Sequence, residues 1–198
     1  MAVVLAEHFE KVIATDASKN QIENATPHPK VDYKVGKAEN SGLPENSFDL
    51  ITAAQALHWL DLEKFYKEVK RVGEKGALLA VWGYGLHSVD QQVDKVLKHF
   101  YYDIIGPYWP PERKYVDERY ENIPFPFGAI PSPVFEMKIS FTLEELLGYL
   151  GTWSATQRYI KSNQTDPVKL VKSDLKKAWG KETEKVVSWP LFLKAGVV

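Results

Sequence analysis

The sequence predicts an α/β fold, a mostly parallel sheet covered by helices on both faces. Three observations carry that reading. The apolar runs KVIATD (11–16), FDLITAAQAL (48–57) and GALLAVWGY (76–84) are unbroken rather than alternating, as in strands buried on both faces. Helical patterns separate them, in the order strand, helix, strand, turn, strand, helix, strand. The 198 residues, 44 % hydrophobic and 26 % charged, suit a single soluble domain with a core of its own.

Each element has a local reason. AVVLAEHF at the start reads as the latter part of an amphipathic helix, and KVIATD follows as a strand ending in Asp16. Ser18 and Gln21 form a capping-box pattern that opens a helix over SKNQIENA, which Pro27 and Pro29 end. VDYKV (31–35) alternates as a short strand, and GKAENSGLPENS is a loop or a single helical turn. After FDLITAAQAL, Asp61 caps a helix with Leu62, Phe65, Tyr66, Val69 and Val72 at helical spacing. Beyond the GALLAVWGY strand, Val89, Val93, Val96, Leu97, Phe100, Tyr101 and Ile104 share one stripe of a helix over 89–105.

Residues 107–133 carry seven prolines and no sustained period, which predicts an irregular insertion or lid, about 100–133 in all, within one domain of 1–198. VFEMKISF (134–141) alternates as a strand. Thr142 and Glu145 form a second capping box, opening the helix TLEELLGYL. Asp166–Pro167 starts the last helix as cap and first-turn proline, and KVVSWPLFLKAGVV (185–198) is a terminal strand or strand pair.

Composition narrows the function classes. A net charge of −1 offers no field for nucleic acid or an anionic membrane. The basic run KLVKSDLKKAWGKETEK is interleaved with acids, as on the wet face of a helix. No apolar run is long enough to cross a bilayer. The absence of cysteine excludes disulfides, thiolate metal sites and a thiol nucleophile, and fits a reducing, cytoplasmic compartment. The five histidines lack metal-pair spacing, so no metal is expected.

Asp16, an acid at a strand tip, is a position from which α/β proteins hold ribose hydroxyls. A glycine-rich turn usually lies about 20 residues earlier in such proteins. Here fifteen residues precede Asp16, none of them glycine, and the first glycine is Gly36. Taken alone, Asp16 is equally an acid capping the following helix, and it would also suit a nicotinamide-dependent dehydrogenase.

With KVIATDAS, GKAENSGLPENSFDLITAAQALHWLD and GALLAVWGY in this order, the chain resembles the class I S-adenosylmethionine-dependent methyltransferases. Within them it is similar to the type 11 group and its trans-aconitate methyltransferase-like enzymes. ALHWLD, VWGY and FTLEELLGYLGTWSATQRY point to that subgroup. The resemblance spans nearly the whole chain. It implies a Rossmann-like, doubly wound sheet with an antiparallel terminal strand. It also implies that the chain starts inside the first helix, after the first strand and the glycine-rich cofactor motif.

The resemblance assigns roles residue by residue. Asp16 and Ala17 would take the ribose, Ala38 and Glu39 the adenine edge, and Ala54 and Gln55 the methionine end of S-adenosylmethionine. His58 would orient the acceptor or serve as its base, as the catalytic candidate, beside Trp59. Trp59, Trp82, Tyr84, Trp153 and Arg158 would form the acceptor pocket, with Arg158 pairing a carboxylate through its fork of donors. Each also has a structural reading, since alanines pack cores, histidines sit satisfied under loops, and arginines decorate helices. The implied function is methyl transfer to a small-molecule acceptor, a carboxylic acid, with nucleic acid and membrane excluded as partners. The alternative is a non-catalytic fragment or binding module, because the glycine loop is absent. An absent first strand would also leave an open apolar edge suited to self-association.

Overall fold

The structure is a computed structural model that describes residues 1–198. The chain forms two compact units, one of 1–81, 125–131 and 194–198, the other of 82–124 and 132–193.

In the first unit, α1 (Ala2–Leu5) leads into β1 (Val12–Asp16). Next comes α2 (Lys19–Glu23), capped by the Ser18 side chain, which accepts from the Gln21 amide at 3.4 Å. β2 (Val31–Val35) then pairs with β1 in parallel from Val12↔Val31 to Asp16↔Val35. β3 (Phe48–Ala54) passes through a short 3₁₀ turn (Leu57–Trp59) into α3 (Leu62–Val72). Asp61 caps α3 as its charge and position require, accepting from the Lys64 amide at 3.3 Å. The apolar stripe read from the sequence is the buried face of α3, with Phe65, Tyr66, Val69 and Val72 all under 8 % exposed.

β4 (Gly73–Tyr84) begins three residues earlier than GALLAVWGY, because Gly73 sits tight against α3. A β-carbon there would lie 3.0 Å from the Val69 carbonyl and 3.3 Å from Ile51. Leu79 and Val81 of β4 are fully buried. The closing strand β7 (Glu184–Val197) ends beside β4, where the Val198 amide donates to the Ala77 carbonyl at 2.8 Å. β5 (Gly128–Ile130) pairs with it antiparallel through Gly128↔Val197. The fold class is therefore the expected one, mixed α/β with a mostly parallel sheet and an antiparallel last strand.

One feature departs from an ordinary parallel sheet. β1 pairs only with β2, and β3 lies in the other sheet beside β4. Between β1 and β3 lies a cavity of about 660 Å³, lined by Val12, Ile13 and Thr15 on one side and by Phe48 through Thr52 on the other. No residue of β1 is fully buried, although parallel strands normally are.

The second unit is largely helical. α4 (Gln91–Lys98) is capped by Asp90, whose Oδ1 accepts from the Gln92 and Val93 amides. The single helix expected over 89–105 instead widens into a π-helix at His99–Ile104, and the apolar stripe continues through Phe100. The proline-rich segment is not wholly irregular, since α5 (Arg113–Asp117) forms within it. β6 (Phe135–Thr142) pairs antiparallel with β7 over Phe135↔Leu191 to Thr142↔Glu184.

The second capping box forms in full. Thr142 Oγ1 accepts from the Glu145 amide at 3.2 Å, and Glu145 accepts from the Thr142 amide at 2.7 Å, opening α6 (Leu143–Thr152). α7 (Ser154–Asn163) and α8 (Val168–Trp179) complete the unit. Leu97, Phe100, Leu146, Leu150 and Leu175 form its core.

Candidate functional site

In the first unit the candidate residues lie where three strands end. Asp16 is the last residue of β1, exposed, and its Oδ1 accepts from the Ser18 amide at 2.7 Å. That bond closes a tight turn and leaves the second carboxylate oxygen without a protein partner. Ala17, next in the chain, is exposed. Ala38 and Glu39 follow β2, and Ala38 lines the same cavity as Thr15 and Thr52. Glu39 Oε1 accepts from the Asp61 amide at 3.1 Å, which ties this loop to the start of α3.

Ala54 ends β3 exposed, and Gln55 turns the chain with φ 50°. A non-glycine residue in the left-handed region is strained, and such strain concentrates at functional turns. His58 is buried in the following 3₁₀ turn, its ring 4.7 Å from that of Trp59, which is itself half exposed. Thus Asp16, Ala17, Ala38, Glu39, Ala54, Gln55, His58 and Trp59 all sit on the segments that leave the carboxyl ends of β1, β2 and β3. Open α/β sheets bind ligands at those ends.

The loop after β2 is held firmly. Glu68 on α3 accepts from the Ser41 amide at 2.9 Å and from the Arg71 guanidinium at 2.7 and 2.8 Å, while Arg71 also donates to the Leu43 carbonyl. The Arg71 hydrogen bonds, aided by those from Ser41, hold the Glu68 carboxyl down at about 2 against burial.

These residues suit a nucleoside with a charged tail. The second Asp16 carboxylate oxygen can accept from hydroxyl donors, Glu39 brings a second acid, and the small residues Ala17, Ala38 and Ala54 leave room for close approach.

In the second unit the remaining candidates divide. Trp82 and Tyr84 are half-buried at the end of β4. Burial raises the Tyr84 hydroxyl above its ordinary value, Tyr149 adds to the rise, and the Arg113 charge opposes it. Trp153 stands at the centre of an aromatic cluster, 5.7 Å from the rings of Tyr101, Trp109 and Tyr149. Arg158 is exposed on α7, outside that cluster.

Two residues here were not singled out from the sequence. Arg113, half-buried, donates from Nε to the Tyr101 hydroxyl at 2.6 Å and lies 4.8 Å over the Trp109 ring. Tyr101 in turn donates to Asp117 at 2.7 Å. His87 is 3 % exposed, with its ring 5.5 Å from Tyr149 and Trp189 and 5.8 Å from Trp153. Neither of its ring nitrogens has a hydrogen-bond partner. Burial alone pushes its pKa down to about 4, so the ring is neutral at pH 7. A sequence signal existed for both, as Arg113 sits in the proline-rich segment and His87 follows β4 by three residues. Nothing in the sequence told Arg113 from its neighbours or His87 from the other histidines.

Comparison with known proteins identifies the family and the fold. A family model described as a methyltransferase domain matches residues 1–81. A protein of Dictyostelium discoideum described as a methyltransferase is 38 % identical over 180 residues, covering 89 % of this chain and 68 % of that one. A methyltransferase of Aspergillus candidus is 28 % identical over 148 residues, 64 % of this chain and 46 % of its own length. The solved structure of a type II methyltransferase from Anaeromyxobacter dehalogenans superposes with a TM-score of 0.89 at 41 % identity, over 98 % of this chain and 83 % of that one. The YcgJ protein of Bacillus subtilis, 17 % identical with a TM-score of 0.52 over 99 % of this chain and 86 % of its own, shares the fold alone.

Proposed function

The chain belongs to the class I S-adenosylmethionine-dependent methyltransferases, and from that premise we propose that it binds S-adenosylmethionine and methylates a small carboxylic acid. The observation that carries the cofactor half is the gathering of Asp16, Ala38, Glu39, Ala54 and Gln55 at the carboxyl ends of three strands. When bound, the cofactor supplies a methyl group already activated on a sulfonium.

The chain's own residues then have simple tasks. Asp16 accepts the ribose hydroxyls with its unengaged oxygen, Glu39 stands by the adenine edge, and Ala54 with the strained Gln55 turn lines the methionine end. A carboxylate acceptor is already a nucleophile at pH 7, so alignment and exclusion of water are the main demands on the protein. His58 orients an acceptor oxygen beside Trp59. In the second unit, Trp82, Tyr84 and Trp153 offer aromatic surface to an acceptor.

Arg113 supports the choice of an acid. Its Nε is engaged by Tyr101 and its plane is held on Trp109, while its terminal nitrogens remain available for a bidentate carboxylate. Arg158, exposed on α7, would meet an acceptor only at the rim.

Calorimetric titration of S-adenosylmethionine and S-adenosylhomocysteine into the folded chain tests the cofactor half. Micromolar binding that Asp16→Asn weakens by about 10- to 100-fold is the expected result. A folded chain that binds neither compound would sink the reading. Incubation with di- and tricarboxylic acids, with methyl esters detected by mass, tests the acceptor.

A further inference from the structure

We propose that β6 pairs edge to edge with β6 of a second copy of this chain, antiparallel about a two-fold axis at Met137, to form a homodimer. This is independent of the methyl-transfer reading.

The bonds of the neighbouring strand show which backbone groups of β6 are free. The Ser188 amide and carbonyl of β7 are both engaged with Ser88, each bond 2.8 Å long. Ser188 stands opposite Lys138 in the β6/β7 register, so these two form a non-hydrogen-bonded pair. In such a pair both residues turn their amides and carbonyls away from each other. Lys138 therefore aims its backbone out of the sheet's edge, and alternation sends Glu136 and Ser140 the same way. β6 pairs with no strand but β7, and no other segment bonds to those outward groups.

A free edge by itself names no occupant, but the side chains of this one select a register. Only the outward residues exchange hydrogen bonds across the edge, so a two-fold axis must match that set with itself. An axis at Glu136 or at Lys138 sets like charges face to face. An axis at Met137 sets Glu136 opposite Lys138 of the second copy, and symmetry repeats the pair. Axes farther along leave both charges unmatched.

The other face of β6 agrees with the same register. Phe135 and Ile139, both exposed, meet Ile139 and Phe135 of the second copy, and Met137 meets its own equivalent. Within one copy Lys138 Nζ lies 2.6 Å from Glu136, and Ser188 donates to the same carboxylate, so the charges are ordered before they meet. A lysine on an edge strand ordinarily repels an incoming strand. Here a glutamate two residues away answers it, so the edge accepts its own copy in one register. A single strand pair is smaller than the interface of a tight dimer, which places dissociation at roughly 10–100 µM.

The test is sedimentation velocity of the full chain between about 5 and 500 µM, a range that brackets that dissociation constant. It is repeated with Glu136→Lys and with Lys138→Glu, whose folding is checked by circular dichroism. The wild type should dimerise, and each variant alone should associate at least about tenfold more weakly. An equimolar mixture of the two variants should regain the wild-type association, because every pair across the edge is again glutamate with lysine. Neither variant has its own Glu136–Lys138 contact, so this recovery reports only the contact between copies. Amide exchange at Glu136, Lys138 and Ser140 should slow as the wild-type concentration rises. A chain that stays monomeric throughout overturns the proposal, as does a dimer that both variants leave unchanged. A mixture that associates no better than either variant overturns it too.

Discussion

Replacing Glu68 with glutamine removes one charge from beneath the loop that carries Ala38 and Glu39. In the folded chain the carboxylate is 9 % exposed and held by Arg71 and Ser41, with its pKa lowered from 4.5 to about 2. A depression of that size corresponds to about 3 kcal/mol of stability at pH 7. The group is depressed, so its contribution is complete above the unfolded value of 4.5. It fades as pH falls toward the folded value, to about 1.4 kcal/mol at pH 3.

Glutamine keeps an acceptor for the Ser41 amide but loses the charge that Arg71 needs. Glu68→Gln should therefore cost about 2–3 kcal/mol at pH 7, and the gap should roughly halve by pH 3 and nearly close by pH 2. In urea unfolding followed by far-UV circular dichroism, that is a drop in midpoint of about 1 M at pH 7. An unchanged midpoint at pH 7, or a gap as wide at pH 3 as at pH 7, would refute the role given to this ion pair.

Three other outcomes follow from the second unit and its caps. His87→Phe keeps the ring stacking and removes two unsatisfied nitrogens, so thermal melting at pH 7 should show a rise worth about 1–3 kcal/mol. The folded pKa of His87 is lowered to about 4, so wild type should lose stability as pH falls from 6.5 toward 4, and the variant should lose less over that range. Thr142→Ala breaks the reciprocal capping box of α6 and should cost about 1 kcal/mol in urea midpoint measurements. Arg113→Lys loses the planar fork while keeping the charge, so steady-state kinetics with a carboxylic acid should show KM raised about tenfold or more with kcat nearly unchanged.

Much of the fold was legible in the chain itself. The unbroken apolar runs at 11–16, 48–57 and 76–84 became β1, β3 and β4, and the caps Ser18, Asp61 and Thr142 began their helices where expected. These features are set by local backbone chemistry and by periodicity, which a sequence displays directly. The residues at the carboxyl ends of β1, β2 and β3 were legible for a related reason, since a strand's end and the acid or alanine after it are adjacent in the chain.

What the sequence did not show is what depends on partners far away in the chain. The π-turn at His99–Ile104 and the helix α5 within the proline-rich segment come from how buried side chains fit their neighbours. Arg113 differs from Arg158 only because Tyr101 and Trp109 enclose the first and solvent surrounds the second. His87 lost both hydrogen-bond partners to a wall built from residues 149, 153 and 189. Local propensity determined the elements, while burial and pairing across long separations determined which of their groups were left free to act.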